Sequence, residues 1–245
     1  NDAPDSPDFL IWAQLENTRV AIGDNRYFES PTPGSVNGPI TLGLVRDPLV
    51  NADRGFYDAP FEVTMTCLTD GATILYTLDG SAPTITAGTE YVGPILVDRT
   101  TTLRAAAFLD GWRPSRVVTH TYLFLEDVVA QNQAAALAAG LPASWNGQPA
   151  DYGLDRRVVG PAGQDSFGGR YAATILEDLQ SLPSMSIVMD IDDMFGPQGI
   201  YSNPTSRGDN WERPASLELI YPDGSEGFQE NAGVRIQGGA FRRFD

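Results

Sequence analysis

The chain has 245 residues, 42% of them hydrophobic and 20% charged, which is long enough for one large domain or two smaller ones with a buried core. Its 32 acidic and 16 basic residues give a net charge of -16, and this excess of acid argues against binding to a nucleic-acid backbone. Lysine is absent, which excludes Schiff-base chemistry and the usual lysine contact to ATP phosphates. No apolar run approaches the roughly 20 residues of a membrane-spanning helix, so we expect no membrane insertion.

Residues 1–39 are rich in Pro, Gly and Asn and lack a regular pattern, which predicts an extended linker. Within them, residues 26–38 include Pro31-Thr32-Pro33-Gly34, and this segment resembles the C-terminal end of a lamin-tail-type β domain. Because the chain begins with Asn1 rather than Met, we expect it to be a processed or excised piece of a longer protein.

Residues 40–124 are predicted to form one all-β unit, because β-branched and alternating runs are separated by Asp-Gly turns about every ten residues. This spacing is typical of a β-sandwich. The predicted strands are Leu42–Val45, Phe61–Leu68, Thr73–Leu78, Tyr91–Leu96, Thr101–Phe108 and Val117–Leu123.

Four blocks of this unit resemble the chitobiase/β-hexosaminidase C-terminal-type module. They are residues 55–63, 74–84, 100–107 and 115–122, in that order. The resemblance implies an immunoglobulin-like sandwich that accompanies catalytic or surface domains and has no catalytic residues of its own. Tyr76, Tyr91 and Trp112 could form a platform for stacking a sugar ring, although we interpret them as core or turn residues.

After residue 124 the pattern becomes helical. Residues 125–150 are predicted to contain a bridging helix at 125–139 and a linker, and a second helix is predicted at 170–181. Strands follow at 186–189, 216–220 and 232–237, with a hairpin connection at 221–228. The predicted fold class is therefore mainly β, an immunoglobulin-like β-sandwich followed by a helix and a partial α+β region.

Residues 151–245 resemble the N-terminal part of a CotH-type (spore coat protein H) kinase-like domain. The resemblance is carried by residues 151–155, 182–203, 211–218 and 231–239. Members of that family transfer phosphate from ATP, with Mg bound in the complete domain, and their metal-binding and catalytic acids follow the Gly-Gly block. In this chain the block is Gly238-Gly239, so we expect those acids to lie after residue 245. Gly238 and Gly239 are candidate phosphate contacts, and the competing interpretation is a turn that requires positive φ.

The densest group of oxygen ligands is Asp190, Asp192 and Asp193, which partly resembles a calcium-binding loop but lacks the later Glu. Calcium is therefore the one metal that the sequence suggests. The competing interpretation is that Asp192 or Asp193 caps a short helical turn.

Two further groups have competing interpretations. Arg213 is expected to pair with a carboxylate beneath Trp211, whereas Glu212 and Glu218 could instead be the carboxylate pair of a glycosidase. His120, the only histidine, is interpreted as a surface or edge residue rather than a catalytic base or metal ligand.

These patterns predict a non-catalytic structural or adhesive segment of a large secreted or cell-surface bacterial protein. Two alternatives remain open: the N-terminal scaffold of a CotH-type ATP-dependent kinase, and a carbohydrate-binding module. The expected partners are other domains of the same parent chain, glycan or other cell-surface material, and further copies of the chain, because its edge strands permit self-assembly.

Overall fold

The computed structural model describes residues 43–145 and 148–238. The predictions for residues 1–39, including the lamin-tail resemblance, lie outside these ranges. The described chain is mainly β, as predicted, with several small sheets and a few short helices.

The first unit contains nine strands between residues 49 and 123. They are β1 Leu49–Val50, β2 Gly55–Phe56, β3 Phe61–Val63, β4 Met65–Thr66, β5 Thr73–Thr77, β6 Thr89–Glu90, β7 Ile95–Val97, β8 Thr101–Phe108 and β9 Val118–Leu123.

These strands form two layers around one core, which confirms the predicted sandwich. One layer is a five-stranded sheet in the order β2-β9-β8-β5-β6, in which only the β2–β9 pair is parallel. The other layer consists of the antiparallel pairs β1–β4 and β3–β7. Side chains of both layers meet in the core, among them Val63, Met65 and Val97 from the small pairs and Leu103 and Tyr122 from the large sheet. Each is at most 4% exposed, so burial of apolar surface is the main stabilising term of this unit.

The predicted strand Phe61–Leu68 is wrong as a single element, because it divides at Thr64 into β3 and β4. The Thr64 N–H donates to Asn51 Oδ1 over 2.7 Å, and the Asn51 N–H donates to the Thr64 carbonyl over 3.1 Å. Asn51 thus occupies both backbone groups of Thr64 and separates the ladder to β7 from the ladder to β1.

Two other predicted strands are shorter than expected. The run Tyr91–Leu96 is interrupted at Gly93-Pro94, because Pro has no N–H to donate to a neighbouring strand. Strand β6 ends before this run, and strand β7 begins directly after Pro94. The segment Leu42–Val45 forms only an isolated bridge between Leu44 and Arg113, and residue 42 lies outside the described residues.

The predicted helix 125–139 consists of two helices, α1 Leu125–Ala130 and α2 Gln133–Ala138. Asn132 interrupts it by adopting an extended backbone and accepting the Ala135 N–H at its side-chain oxygen, so that it caps α2 instead of continuing α1. A hairpin of β10 Ser144–Trp145 and β11 Gln148–Pro149 follows, and then α3 Arg156–Val159.

The second predicted helix, 170–181, is reduced to α4 Ile175–Gln180. Residues 170–174 form turns, directly after Gly168 and Gly169, both of which have left-handed backbones that end regular structure. The domain boundaries proposed from the sequence remain predictions.

The second unit contains an antiparallel sheet in the order β12-β13-β14, formed by Ser184–Val188, Arg213–Ile220 and Phe228–Val234. All three predicted strands are present, and each begins two to four residues before its predicted start. Between β12 and β13 lie α5 Ile191–Phe195 and a 3₁₀ turn at Asp209–Trp211. A smaller apolar cluster around Ile200, Ala215 and Val234 supports one face of this sheet.

The two units contact each other through polar faces. On the outer face of the large sheet, Arg104, Thr119 and Thr121 are at most 4% exposed. From the second unit, Ser216 and Glu218 of β13 are completely buried, and Glu218 reaches Thr121 of β9. Alternation along β13 therefore directs Ala215 into the second apolar cluster and Glu218 toward the first unit.

Candidate functional site

A cavity of about 360 Å³ lies where the 3₁₀ turn meets the end of β14. The turn contributes Asp209 and Trp211, and the chain after β14 contributes Arg235 and Gly238. Arg207 lines the same cavity from the segment that leads into the turn. We call this site the Trp211 cavity. Trp211 is its aromatic wall, the two arginines and Asp209 are its charged side chains, and Gly238 lines it without a side chain.

The indole of Trp211 is held in place by Arg213. The Arg213 guanidinium lies 5.2 Å from the centre of the Trp211 ring, a cation–π contact. Its Nε and Nη2 donate to the Gln198 carbonyl, and its Nη1 donates to the Asn210 carbonyl over 3.0 Å. Arg213 is not among the residues that line the cavity.

The predicted pairing of Arg213 is therefore correct for Trp211 and only partly correct for a carboxylate. The closest carboxylate to Arg213 among its described ion pairs is Asp193, at 3.8 Å, and carbonyl oxygens take the hydrogen bonds. Arg213 therefore lies between Asp193 of α5 and Trp211 in the wall of the cavity.

The two arginines of the cavity differ in their partners. Arg235 makes an ion pair with Asp209 and lies 3.8 Å from Glu212, so carboxylates already offset its charge. Arg207 is exposed, and among the described residues it has no ion pair or hydrogen bond. The cavity therefore offers one guanidinium whose charge is not offset.

Gly238 lines the cavity with a φ of 139°, a conformation that residues with a side chain rarely adopt. This agrees with the interpretation of the Gly-Gly block as a turn that requires positive φ. Gly239, the second candidate phosphate contact, lies outside the described residues. A phosphate contact at Gly238 and Gly239 stays a prediction.

The acidic group Asp190, Asp192 and Asp193 lies at the start of α5. The capping residue is Asp190, whose Oδ1 accepts the Asp192 N–H over 2.8 Å, and not Asp192 or Asp193 as the sequence suggested. Burial, with repulsion from Asp190, raises the pKa of Asp193. Within residues 43–145 and 148–238, no group of three or more His, Cys, Asp or Glu residues is arranged to hold a metal ion, and calcium binding stays a prediction.

Sequence reasoning missed the role of Glu218, which forms what we call the inter-sheet contact with Arg54, Thr121 and Ser186. The Nε of Arg54 lies 2.9 Å from Glu218 Oε1, and the Thr121 hydroxyl donates to Glu218 Oε2 over 2.5 Å. The Thr121 N–H also donates to Glu218 Oε1, and the Thr121 and Ser186 hydroxyls are 2.8 Å apart. Burial raises the pKa of Glu218, while the Thr121 hydrogen bonds and the Arg54 charge oppose this rise.

This geometry disagrees with a glycosidase pair of Glu212 and Glu218. Glu212 is partly exposed next to Arg235, whereas Glu218 is enclosed between the sheets. Six residues of extended chain also separate the two by roughly 20 Å, and glycosidase carboxylates lie about 5–9.5 Å apart. The signal for the true role of Glu218 was its position in the alternating run of β13, where an acid occupies an inward site.

His120 lies within β9, half-buried, and its Nδ1 is shielded from water with no hydrogen-bond partner among the described residues. Burial, with repulsion from the nearby Arg54, lowers the pKa of His120 to about 4, although Asp53 opposes this change. His120 is therefore neutral at physiological pH and packs near Tyr122, with ring centres 6.3 Å apart.

The three aromatic residues considered for a sugar platform occupy packing positions. Tyr76 and Tyr91 pack against the core of the sandwich, and Trp112 covers Gly43, where an added Cβ would lie 2.3 Å from the indole. The interpretation of Tyr76 and Tyr91 as core-packing residues is confirmed.

Comparison with known proteins agrees with this architecture in one region. Residues 52–119 match the family described as the chitobiase/beta-hexosaminidase C-terminal domain. A search of curated proteins gave no match. Across the described ranges, no helix is both long and apolar enough to traverse a lipid bilayer.

Proposed function

We propose that this chain is a non-catalytic structural segment of a large secreted or cell-surface bacterial protein, in which the immunoglobulin-like module and the following sheet act as one stiff spacer or adhesive unit. The match of residues 52–119 supports the non-catalytic immunoglobulin-like module of this proposal. The inter-sheet contact carries the second part, because it joins the two units through buried polar groups.

The inter-sheet contact draws on both units. Arg54 and Thr121 come from the first unit, and Ser186 and Glu218 come from the second. A second contact lies nearby, where the Asn231 side chain donates to the Val117 carbonyl over 2.8 Å. Separating the two units would break the contacts of Glu218 with Arg54 and Thr121 and would expose the polar faces that now pair with each other. The contact therefore favours one fixed arrangement of the two units.

The shifted pKa values of Glu218 and His120 also support a structural role. Shifted pKa values often mark catalytic residues when these residues line a cleft. Here Glu218 is fully enclosed and His120 has a shielded Nδ1, and neither lines the Trp211 cavity. Their shifts are thus accounted for by packing between sheets.

Native-state hydrogen exchange of the whole 245-residue chain tests this proposal. If the two units open together, amides of β8 and β13 exchange with the same free energy of opening. Glu218→Ala should separate the two sets of amides, and Glu230→Ala, an exposed change in the neighbouring strand, should not. Independent opening of β8 and β13 in the unaltered chain would contradict a stiff spacer.

A second candidate is the N-terminal scaffold of a CotH-type kinase, and Gly238 beside Arg235 in the cavity is the observation that favours it. This candidate predicts heat of binding when ATP and Mg are titrated into the chain. Absence of heat at millimolar ATP would leave the spacer proposal in place.

A further inference from the structure

We propose that the Trp211 cavity binds an acidic saccharide, with a pyranose ring against the indole of Trp211 and the sugar carboxylate on Arg207. This site is additional to the spacer function, and it does not depend on the inter-sheet contact.

The first step is the shape of the cavity. A volume of about 360 Å³ accommodates a sugar ring together with part of its neighbour, and the cavity is open to solvent at the surface. The Trp211 ring is in cation–π contact with Arg213, which itself is fixed by carbonyl oxygens of Gln198 and Asn210. A preorganised indole loses little entropy when a ring packs against it, so this wall is suited to the apolar face of a pyranose.

The second step is the charge of the cavity. Arg235 is neutralised by Asp209 and Glu212, whereas Arg207 is exposed and makes no ion pair within the described parts of the chain. One unoffset guanidinium matches one carboxylate, which it can hold through two parallel N–H···O bonds. The cavity thus fits a ring that carries a single negative charge.

The third step separates this ligand from a nucleotide. A triphosphate carries three to four negative charges and requires several cations or a divalent metal. Among the described residues that line it, the cavity has one unoffset arginine, the chain has no lysine, and its net charge of -16 repels a polyanion. Asp209 and Glu212 beside Arg235 would add to this repulsion.

The test is calorimetric titration of the full chain with methyl galacturonoside, a single ring with one carboxylate, and with its methyl ester as the neutral control of the same shape. We expect the acid to bind with a dissociation constant on the order of 1 mM and the ester to bind at least about tenfold more weakly. Arg207→Gln should weaken binding of the acid about tenfold. Arg99→Gln, an exposed arginine of the first unit, is the matched control and should leave binding unchanged.

Two more variants sharpen the test. Trp211→Ala should remove binding, whereas Trp112→Ala, an exposed tryptophan of the first unit, should not. Asp209→Asn should tighten binding severalfold, because it releases Arg235 and removes a repelling carboxylate that is itself 94% exposed. Since Asp209 and Arg207 are both exposed, these two variants remain informative even if Trp211→Ala fails to fold.

Three results would overturn the proposal. The first is no heat up to about 20 mM methyl galacturonoside, some twentyfold above the expected constant. The second is equal binding of the acid and the ester, and the third is binding of the acid that is unaffected by Arg207→Gln. Tight binding of ATP that is lost in Arg207→Gln would also overturn it, in favour of a nucleotide site. None of these results alters the hydrogen-exchange test, so failure of the saccharide site and failure of the spacer are distinguishable.

Discussion

Replacement of Glu218 is the sharpest test of how the two units are joined. Its side chain is completely buried between the sheets, and Glu218→Ala removes the partner of both Arg54 and the Thr121 N–H. Breaking a buried ion pair typically costs about 3–5 kcal/mol. The side chain of Arg54 is 21% exposed, so water can partly replace the carboxylate, and we expect the lower end, about 3 kcal/mol.

Glu218→Gln separates charge from shape. Gln keeps one oxygen that can accept the Thr121 N–H, and its amide nitrogen can donate to the Thr121 hydroxyl where Oε2 now accepts, so the negative charge is lost while both positions stay hydrogen-bonded. Burial already raises the pKa of Glu218 and disfavours its charge, so this change should cost less, about 1 kcal/mol. Comparison of the two variants thus separates the cost of losing the charge, which both variants lose, from the cost of losing the hydrogen-bonding side chain, which only Glu218→Ala loses.

Urea unfolding at pH 7, followed by tryptophan fluorescence, measures both changes. Glu230→Ala is the control, because Glu230 lies exposed in the adjacent strand, and it should change the free energy of unfolding by less than about 0.5 kcal/mol. If Glu218→Ala also fell within that range, the two sheets would not be held together through Glu218 and our account of the interface would be wrong.

Three further predictions concern other positions. For His120→Gln we expect the free energy of unfolding to depend less on acid. Because the pKa of His120 is lowered in the native state, the unfolded state takes up a proton first, so the stability that neutral His120 contributes is present above pH 6.5 and is lost as the pH falls through about 4. Between pH 6.5 and 4.5, urea unfolding should show the unaltered chain losing about 2 kcal/mol more than the variant. Gly227→Ala places a Cβ 1.8 Å from the Leu219 carbonyl and should lower the free energy of unfolding by more than about 2 kcal/mol, whereas Gly93→Ala, with open space around it, should not. Asn132→Ala removes the cap of α2 and should raise amide exchange of that helix by the equivalent of about 1 kcal/mol, with no effect on β8.

The sandwich was predictable because its signals are local. Strand β8 coincides with its prediction over Thr101–Phe108, because this 8-residue run lies between turn residues and its length is typical of a strand. The division at Thr64 was not predictable, because it depends on the side chain of Asn51, which is brought close only by the fold. The same limitation applies to the helix predicted at 125–139. The Ala-rich pattern predicts one continuous helix, and the capping role of Asn132, which divides it, is not evident from that pattern.

The candidate site was only partly predictable. Gly238 and the proximity of Arg213 to Trp211 followed from motifs within a few residues of each other. The cavity itself joins the segment at Arg207 to the chain after β14, and this closure is a property of the sheet register rather than of either segment. Likewise, Arg54 and Glu218 are separated by most of the described chain, and no spacing rule connects them.

The polar character of the inter-sheet contact has a consequence for specificity. An apolar contact of the same area would stabilise the interface at least as well, because buried charges must recover their desolvation energy. A one-residue slip of β13, however, would turn Leu217 and Leu219 toward Thr121 and bury Glu218 in the second apolar cluster, where it would have no partner. The contact therefore fixes a single register between the units, which is the property that a spacer of defined geometry requires.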